Sequence, residues 1–410
     1  MTLKTGLEKS EHSYGFFKLM SMTFLFIYIC SLYILSYSVS LNIVCYTFFL
    51  GALGCSLINF LIERRSFRLD FTFFALVLFV GYAALTTFWV KCDTEVMGTV
   101  ITLVQLLGFY IIIRLNIQDE KDFKNIILAI YFGAVIMCIY TVIFYGPGEI
   151  LRRISVGERI GDEINQMNGM GLYCTLLFIM TMYFLMIEKI IWVIPVLPLS
   201  LFVLLGAGSR KSFLLVAFAW LLISMFKAKR GRWLRVLVIL SILVFAAYMV
   251  MELSETSYFF FRISQMFNML SEDASVTDNS LITRSAMIKY GLELFGKKPL
   301  QGYGPMQFEY YYSLLTGIRR PPHCTYIQVL VSFGLIGFTL YYGIYAYAVN
   351  KLIPMIKRHR RYSILLVTFI LVFLVNDIGG NMLTHKFIYM FFGIYASYIN
   401  IKLDEEKESL

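Results

Sequence analysis

Three side chains sit where the sequence must use them or bear their cost. Arg210 lies in Gly206-Ala-Gly-Ser-Arg-Lys-Ser212, a link of almost no length between two apolar runs. Small residues let the helices on either side approach closely. A helix starting there directs its positive dipole end, with Ser209, Arg210 and Lys211, toward an anion. Arg284 lies in a helix-like stretch that follows Asp278, Asn279 and Ser280, three candidate N-caps, and is expected to stop at Gly296. His323 lies in Arg319-Arg-Pro-Pro-His-Cys-Thr-Tyr-Ile-Gln328. Two prolines hold that chain extended and then release a helix, which puts the imidazole at a helix N-terminus. The field there disfavours protonation and leaves a neutral ring able to accept a proton. Guanidinium groups grip phosphate bidentately and stay charged at any relevant pH. The chemistry these residues could perform is therefore at a phosphate or diphosphate, with one neutral base nearby.

Further cations extend the pattern. Arg152, Arg153 and Arg159 cluster in 146–167, and Arg262, Lys289, Lys297, Lys298, Arg319 and Arg320 fall in 253–322. Surface arginines also meet lipid headgroups, which is the plainer expectation for Arg262. His359 lies in a basic run and is expected to be solvated, while His385 is open to either reading. Carboxylates near these cations are sparse, and none forms the Asp-x-Asp pattern that would hold a divalent metal for a nucleotide-sugar enzyme. No Walker, GxGxxG, HExxH or GxSxG pattern is present. No metal and no cofactor are expected, and a soluble nucleotide donor is disfavoured.

The elements that must carry these residues are membrane helices. The chain of 410 residues is 59% hydrophobic and only 15% charged, against about 25% charged in soluble domains. Apolar runs near the ~20-residue length of a bilayer span recur from end to end, continuous rather than alternating, which argues for helices and against a barrel. Twelve spans are predicted, near 16–36, 41–62, 71–90, 96–114, 125–145, 168–187, 190–207, 212–226, 236–252, 324–349, 363–378 and 387–401. With both termini in the cytoplasm, 22 of the 36 Lys and Arg fall inside, mostly in short loops, and 14 outside. The expected organisation is an N-terminal bundle over 1–252, a large extracytoplasmic loop over 253–322, and a C-terminal segment over 323–410. The first span is too long for a cleaved leader and lacks a small-residue cleavage site after it. The net charge of +10 reads as membrane anchoring, since no soluble basic domain exists to hold nucleic acid. Seven cysteines show no paired spacing and read as small apolar residues.

Three segments together carry a resemblance. Asn168-Gly-Met-Gly opening a span and Gly208-Ser-Arg-Lys-Ser closing a hairpin come first. Then Thr283-Arg284 precedes Phe295-Gly-Lys-Lys-Pro-Leu-Gln-Gly-Tyr-Gly-Pro305, and His323-Cys-Thr-Tyr-Ile-Gln leads into Ser-Phe-Gly-Leu-Ile-Gly337. In this order, over 165–340, they resemble the O-antigen ligase/polymerase superfamily, including its Wzy-type polysaccharide polymerases. Cys324 stands where Asn is common in that family, so no role of that Asn carries over. The resemblance implies an all-α integral membrane glycosyltransferase of the GT-C type, metal-independent, in a bacterial inner or plasma membrane. It implies an undecaprenyl-diphosphate-linked oligosaccharide as substrate, diphosphate held by arginines at the positions of Arg210 and Arg284, and a catalytic part for His323. Asn168, Ser209, Lys211, Arg152, Arg153, Arg159, Arg319 and Arg320 are the substrate-binding candidates around them. It leaves room for a chain-length regulator and a flippase as partners. A ligase moving finished glycan to a different acceptor is the main alternative. A lipid-linked oligosaccharide transporter is disfavoured, because neither an inverted repeat nor matched Gly/Pro interruptions are found.

Overall fold

The computed structural model describes residues 3–35, 39–63, 67–91, 95–161, 163–164, 166–227 and 279–408. The regular elements among these described residues are α-helices and 3-10 turns, with no strand. In chain order the helices are α1 (Leu3–Ile34), α2 (Val39–Glu63), α3 (Phe71–Leu85), α4 (Val96–Asn116), α5 (Glu120–Tyr145), α6 (Pro147–Val156) and α7 (Met167–Met186). There follow α8 (Val196–Ala207), α9 (Arg210–Lys227), α10 (Asn279–Lys297), α11 (Gln307–Thr316), α12 (Thr325–Arg358), α13 (Arg360–Asp377) and α14 (Lys386–Glu408).

Seven of these segments are long and apolar enough to cross a bilayer: those in α1, α2, α3, α4, α5, α7 and α12. The protein is therefore a multi-pass helical membrane protein. The predicted span at 190–207 takes a different form: a 3-10 turn, Ile191–Val193, precedes a helix of 12 residues. At 1.5 Å per residue that helix covers about 18 Å, short of the ~30 Å hydrocarbon core. The predicted spans at 212–226, 363–378 and 387–401 are helical, within α9, α13 and α14. The predicted span at 236–252, Arg262 and the boundary between the first two expected segments lie outside the described residues.

The best enclosed of the seven spans is α7. It packs on α8, α9 and α13, and α14 closes against α4 and α12. Asp70 and Arg114 pin the helices at one end. Asp70 caps α3 by accepting from the Phe73 amide at 3.0 Å. Its other oxygen accepts from Arg114 Nη1 at 2.7 Å and from Asn400 Nδ2 at 2.8 Å. The pair is buried, with both charges and most donors satisfied, which is what makes a buried ion pair tolerable.

The far end of α3 holds the loop that carries the candidate chemistry. Within α12 the helix breaks at Gly334, where φ is 60° and ψ is −163°. A break at membrane depth frees backbone groups that must find partners. The Pro299–Gly304 turn supplies them. Leu335 and Ile336 amides donate to the Pro299 and Leu300 carbonyls, while Tyr303 and Gly304 amides donate to Val331 and Ser332 carbonyls at 2.8 and 2.7 Å. From α3 and the turn after it, Tyr82 and Trp89 donate to the Gln301 and Gly302 carbonyls. A Cβ at Gly302 would lie 2.5 Å from the Ser332 oxygen, and one at Gly334 would lie 2.2 Å from the Leu300 oxygen. The two glycines thus allow backbone to meet backbone.

This seam ties the described part of the large loop to α12. A satellite core of Met287, Leu294, Tyr303, Phe308, Tyr312, Cys324, Ile327 and Val331 joins α10 and α11 to α12. Gly291 permits the closest approach, since a Cβ there would meet Ile327 Cγ2 at 2.2 Å. Helix α10 ends at Lys297, one residue past the expected stop at Gly296.

Candidate functional site

The link between α8 and α9 is built by residues from two other elements. Gly208 ends α8 in the left-handed conformation with φ of 58°. The last carbonyls of α8 are capped from the side: the Ile160 amide donates to Gly206 O at 3.0 Å and Arg159 Nε to Ala207 O at 2.7 Å. Arg159 Nη2 also reaches Asn168 Oδ1 at 3.0 Å, at the start of α7. Ser209 and Ser212 hydroxyls pair at 2.8 Å, both buried. Gly171 lets α7 pack on them, because a Cβ there would sit 2.7 Å from Ser209 Cβ. Arg159, Asn168 and Ser209 therefore shape the turn, and Arg210 and Lys211 emerge from it as the first residues of α9. Both are half-buried.

Lys211 Nζ donates to Gly379 O at 3.0 Å, tying α9 to the turn between α13 and α14. Arg284 and Asp377 act on it electrostatically. His323 precedes α12 with φ of 51°, a left-handed conformation uncommon for a side chain of its size and found at functional positions. Asn381 Nδ2 is 3.5 Å from His323 Nδ1. The imidazole pKa is lowered, first by burial and then by Arg284, Arg320 and Lys211. Lys211 of α9, Arg284 of α10 and Arg320 of the strap before α12 therefore lie within electrostatic reach of His323, and Arg210 is the neighbour of Lys211 in the chain. Burial and these cations favour the neutral form of the ring.

Other candidates lie elsewhere or have other partners. On α6, Arg152 holds Glu149 through two bonds at 2.7 and 2.8 Å and reaches Glu158 at 3.1 Å. Arg153 binds Glu149 at 2.9 Å and lies over the Tyr145 ring. These two guanidiniums hold the Glu149 carboxyl down at about 2. The i to i+3 and i to i+4 spacing of Glu149 to Arg152 and Arg153 is a sequence signal for this pairing. Arg319 and Arg320 are exposed on the strap, Arg319 within electrostatic reach of Glu309. Burial of Glu309 on α11 pushes its carboxyl up to about 7. Among the described residues no three His, Cys, Asp or Glu side chains are placed to share a metal ion.

Sequence reasoning assigned no role to the turn after α13. Tyr342 donates to Asp377 Oδ2 at 3.0 Å. Thr325, the first residue of α12, donates to Gly380 O at 2.8 Å and accepts from the Met382 amide at 3.0 Å. Burial, then Lys386 and Lys211, holds the His385 imidazole down to about 4. The available signal was a run of Asn, Asp and paired Gly between two long apolar stretches.

Fold and site together define a multi-pass helical membrane protein with a cationic, histidine-bearing site. The family model described as O-antigen ligase matches residues 195–342, which include Arg210, Lys211, Arg284, the Gly302–Gly334 seam and His323. This agrees with the superfamily read from the motifs and supports a membrane glycan-transfer role. No curated protein matches the chain.

Proposed function

We propose that the chain is a polymerase of lipid-linked oligosaccharide repeat units, a GT-C-type, multi-pass enzyme of a bacterial inner or plasma membrane, working on the outer face without a metal. The observation that supports it most is that Lys211, Arg284 and Arg320 lie within electrostatic reach of His323, with Arg210 next to Lys211 at the start of α9. A hydroxyl of one lipid-linked repeat unit attacks the anomeric carbon of a lipid-linked chain. A glycosidic C–O bond forms, and the bond from that carbon to phosphate breaks with its electron pair leaving on undecaprenyl diphosphate. Charge grows on the diphosphate as the bond breaks, and fixed guanidiniums stabilise it there. The hydroxyl proton passes to His323.

The family description favours a second reading, transfer of finished glycan to a different acceptor. Deleting the gene separates the two. Single lipid-linked repeat units are expected to accumulate, whereas long lipid-linked chains would assign the ligase role.

The pH profile follows from the direction of the His323 shift. The neutral ring is the active form and its pKa lies below the ordinary value of 6.5. The rate is therefore expected to hold through neutral pH and to fall only as pH drops below about 6.5. In His323→Gln that acidic limb should vanish along with most of the activity. An unchanged limb in the variant would remove His323 as the base.

A further inference from the structure

Polar groups that play no part in holding a diphosphate gather at the C-terminal end of α13 and on the turn that follows it. Five side-chain atoms there are buried with no hydrogen-bond partner: Asn376 Nδ2 and Oδ1, Asp377 Oδ1, Asn381 Oδ1 and His385 Nδ1. Asn376 is 1% exposed and Asp377 0%. A buried polar atom without a partner carries a free-energy cost that a ligand supplying the bond removes. Collected at the end of α13 and on the turn after it, they form an enclosed set of unmet hydrogen bonds that a polar ligand would satisfy.

Its chemistry is mixed. Asn376 offers both a donor and an acceptor, Asp377 and Asn381 offer acceptor oxygens, and His385 offers a ring nitrogen of a neutral imidazole. Hydroxyl groups donate and accept at once, and so match this set; a phosphate only accepts. Aromatic rings stand beside it, with Tyr173 at 6.1 Å and Phe387 at 5.7 Å from the His385 ring. The turn is joined to the candidate base through Asn381 and, by the Thr325 bonds, to the N-terminus of α12. A ligand held here is therefore presented to His323. Residues 376–385 lie outside the segment that the family model matches.

We infer that this turn is the acceptor sugar subsite: Asn376, Asp377, Asn381 and His385 hydrogen-bond the hydroxyls of the sugar whose free hydroxyl faces His323. The inference rests on the polymerase reading for the word acceptor, but not for the sugar. Lys211 closes the turn through its single bond to Gly379 O, and a sugar hydroxyl takes over that carbonyl when the subsite fills. Gly380 leaves the ammonium its room, since a Cβ there would lie 3.0 Å from Lys211 Nζ.

The test uses the full chain in nanodiscs and two probes titrated separately. One is the free oligosaccharide of the repeat unit, cut from its lipid and followed by saturation-transfer NMR; the other is undecaprenyl diphosphate. Asn376→Ala and Asn381→Ala are each expected to weaken oligosaccharide binding about tenfold and to leave undecaprenyl diphosphate binding unchanged. Arg284→Ala should do the reverse. Asn381 belongs to no helix, so its variant carries the test if Asn376→Ala melts early. Equal weakening of both probes, no change in either, or a wild type that does not bind the oligosaccharide would overturn the subsite. A wild type that binds it and yet extends no chain would overturn the polymerase reading alone.

Discussion

Arg210→Ala and Arg284→Ala are each expected to lower kcat by about 100- to 1000-fold, the cost of removing one fixed donor from a developing oxyanion. The two residues come from different elements, α9 and α10, and Arg284 lies within electrostatic reach of Lys211, the neighbour of Arg210. Each also acts where water is partly excluded, which strengthens a charge that faces a diphosphate. Lysine in place of either should recover only part of the rate, because an ammonium cannot bind two phosphate oxygens in parallel. The measurement is chain extension by purified variants with folded helix content. Variants that extend chains at the wild-type rate would show that the diphosphate is held elsewhere.

Gly334→Ala should act through structure, and Gly302→Ala likewise. Both glycines have positive φ, 60° and 70°, where an added Cβ is strained. Both would also drive a Cβ into a backbone oxygen or nitrogen that cannot move aside. A strained left-handed residue alone costs about 1–3 kcal/mol, and opening the seam forfeits its backbone hydrogen bonds in addition. The variants should melt well below wild type and lose activity together with stability. Gly296→Ala is the control, because nothing lies within 4 Å of a Cβ there. Melting of Gly334→Ala at the wild-type temperature would mean that the turn does not seal the break in α12.

How much of this the sequence disclosed depended on range. Arg210 was legible because small and charged residues between two apolar runs leave few interpretations, and the start of α9 at that residue follows from the same pattern. The helix after His323 was legible from the prolines before it. The break at Gly334 was not, since an apolar run reads as one helix whether or not it kinks. Its partner, the Pro299–Gly304 turn, lies some thirty residues upstream, and nothing local announces the pairing. Which arginines are committed to glutamates was half visible: the Glu149 spacing to Arg152 and Arg153 is local, whereas the bracing of Ala207 by Arg159 spans 48 residues. The Asn376–Asn381 run looked like a loop between spans. Only the packing showed its polar atoms to be enclosed beside Lys211 and His323.

The central claim is that this site transfers a growing glycan from its diphosphate to a sugar hydroxyl. Incubating the purified, reconstituted protein with its lipid-linked repeat unit and a chelator tests it most directly. The expected result is a ladder of longer lipid-linked products with one undecaprenyl diphosphate released per added unit, absent in Arg210→Ala and Arg284→Ala. A folded wild-type protein that yields neither ladder nor released undecaprenyl diphosphate would contradict it.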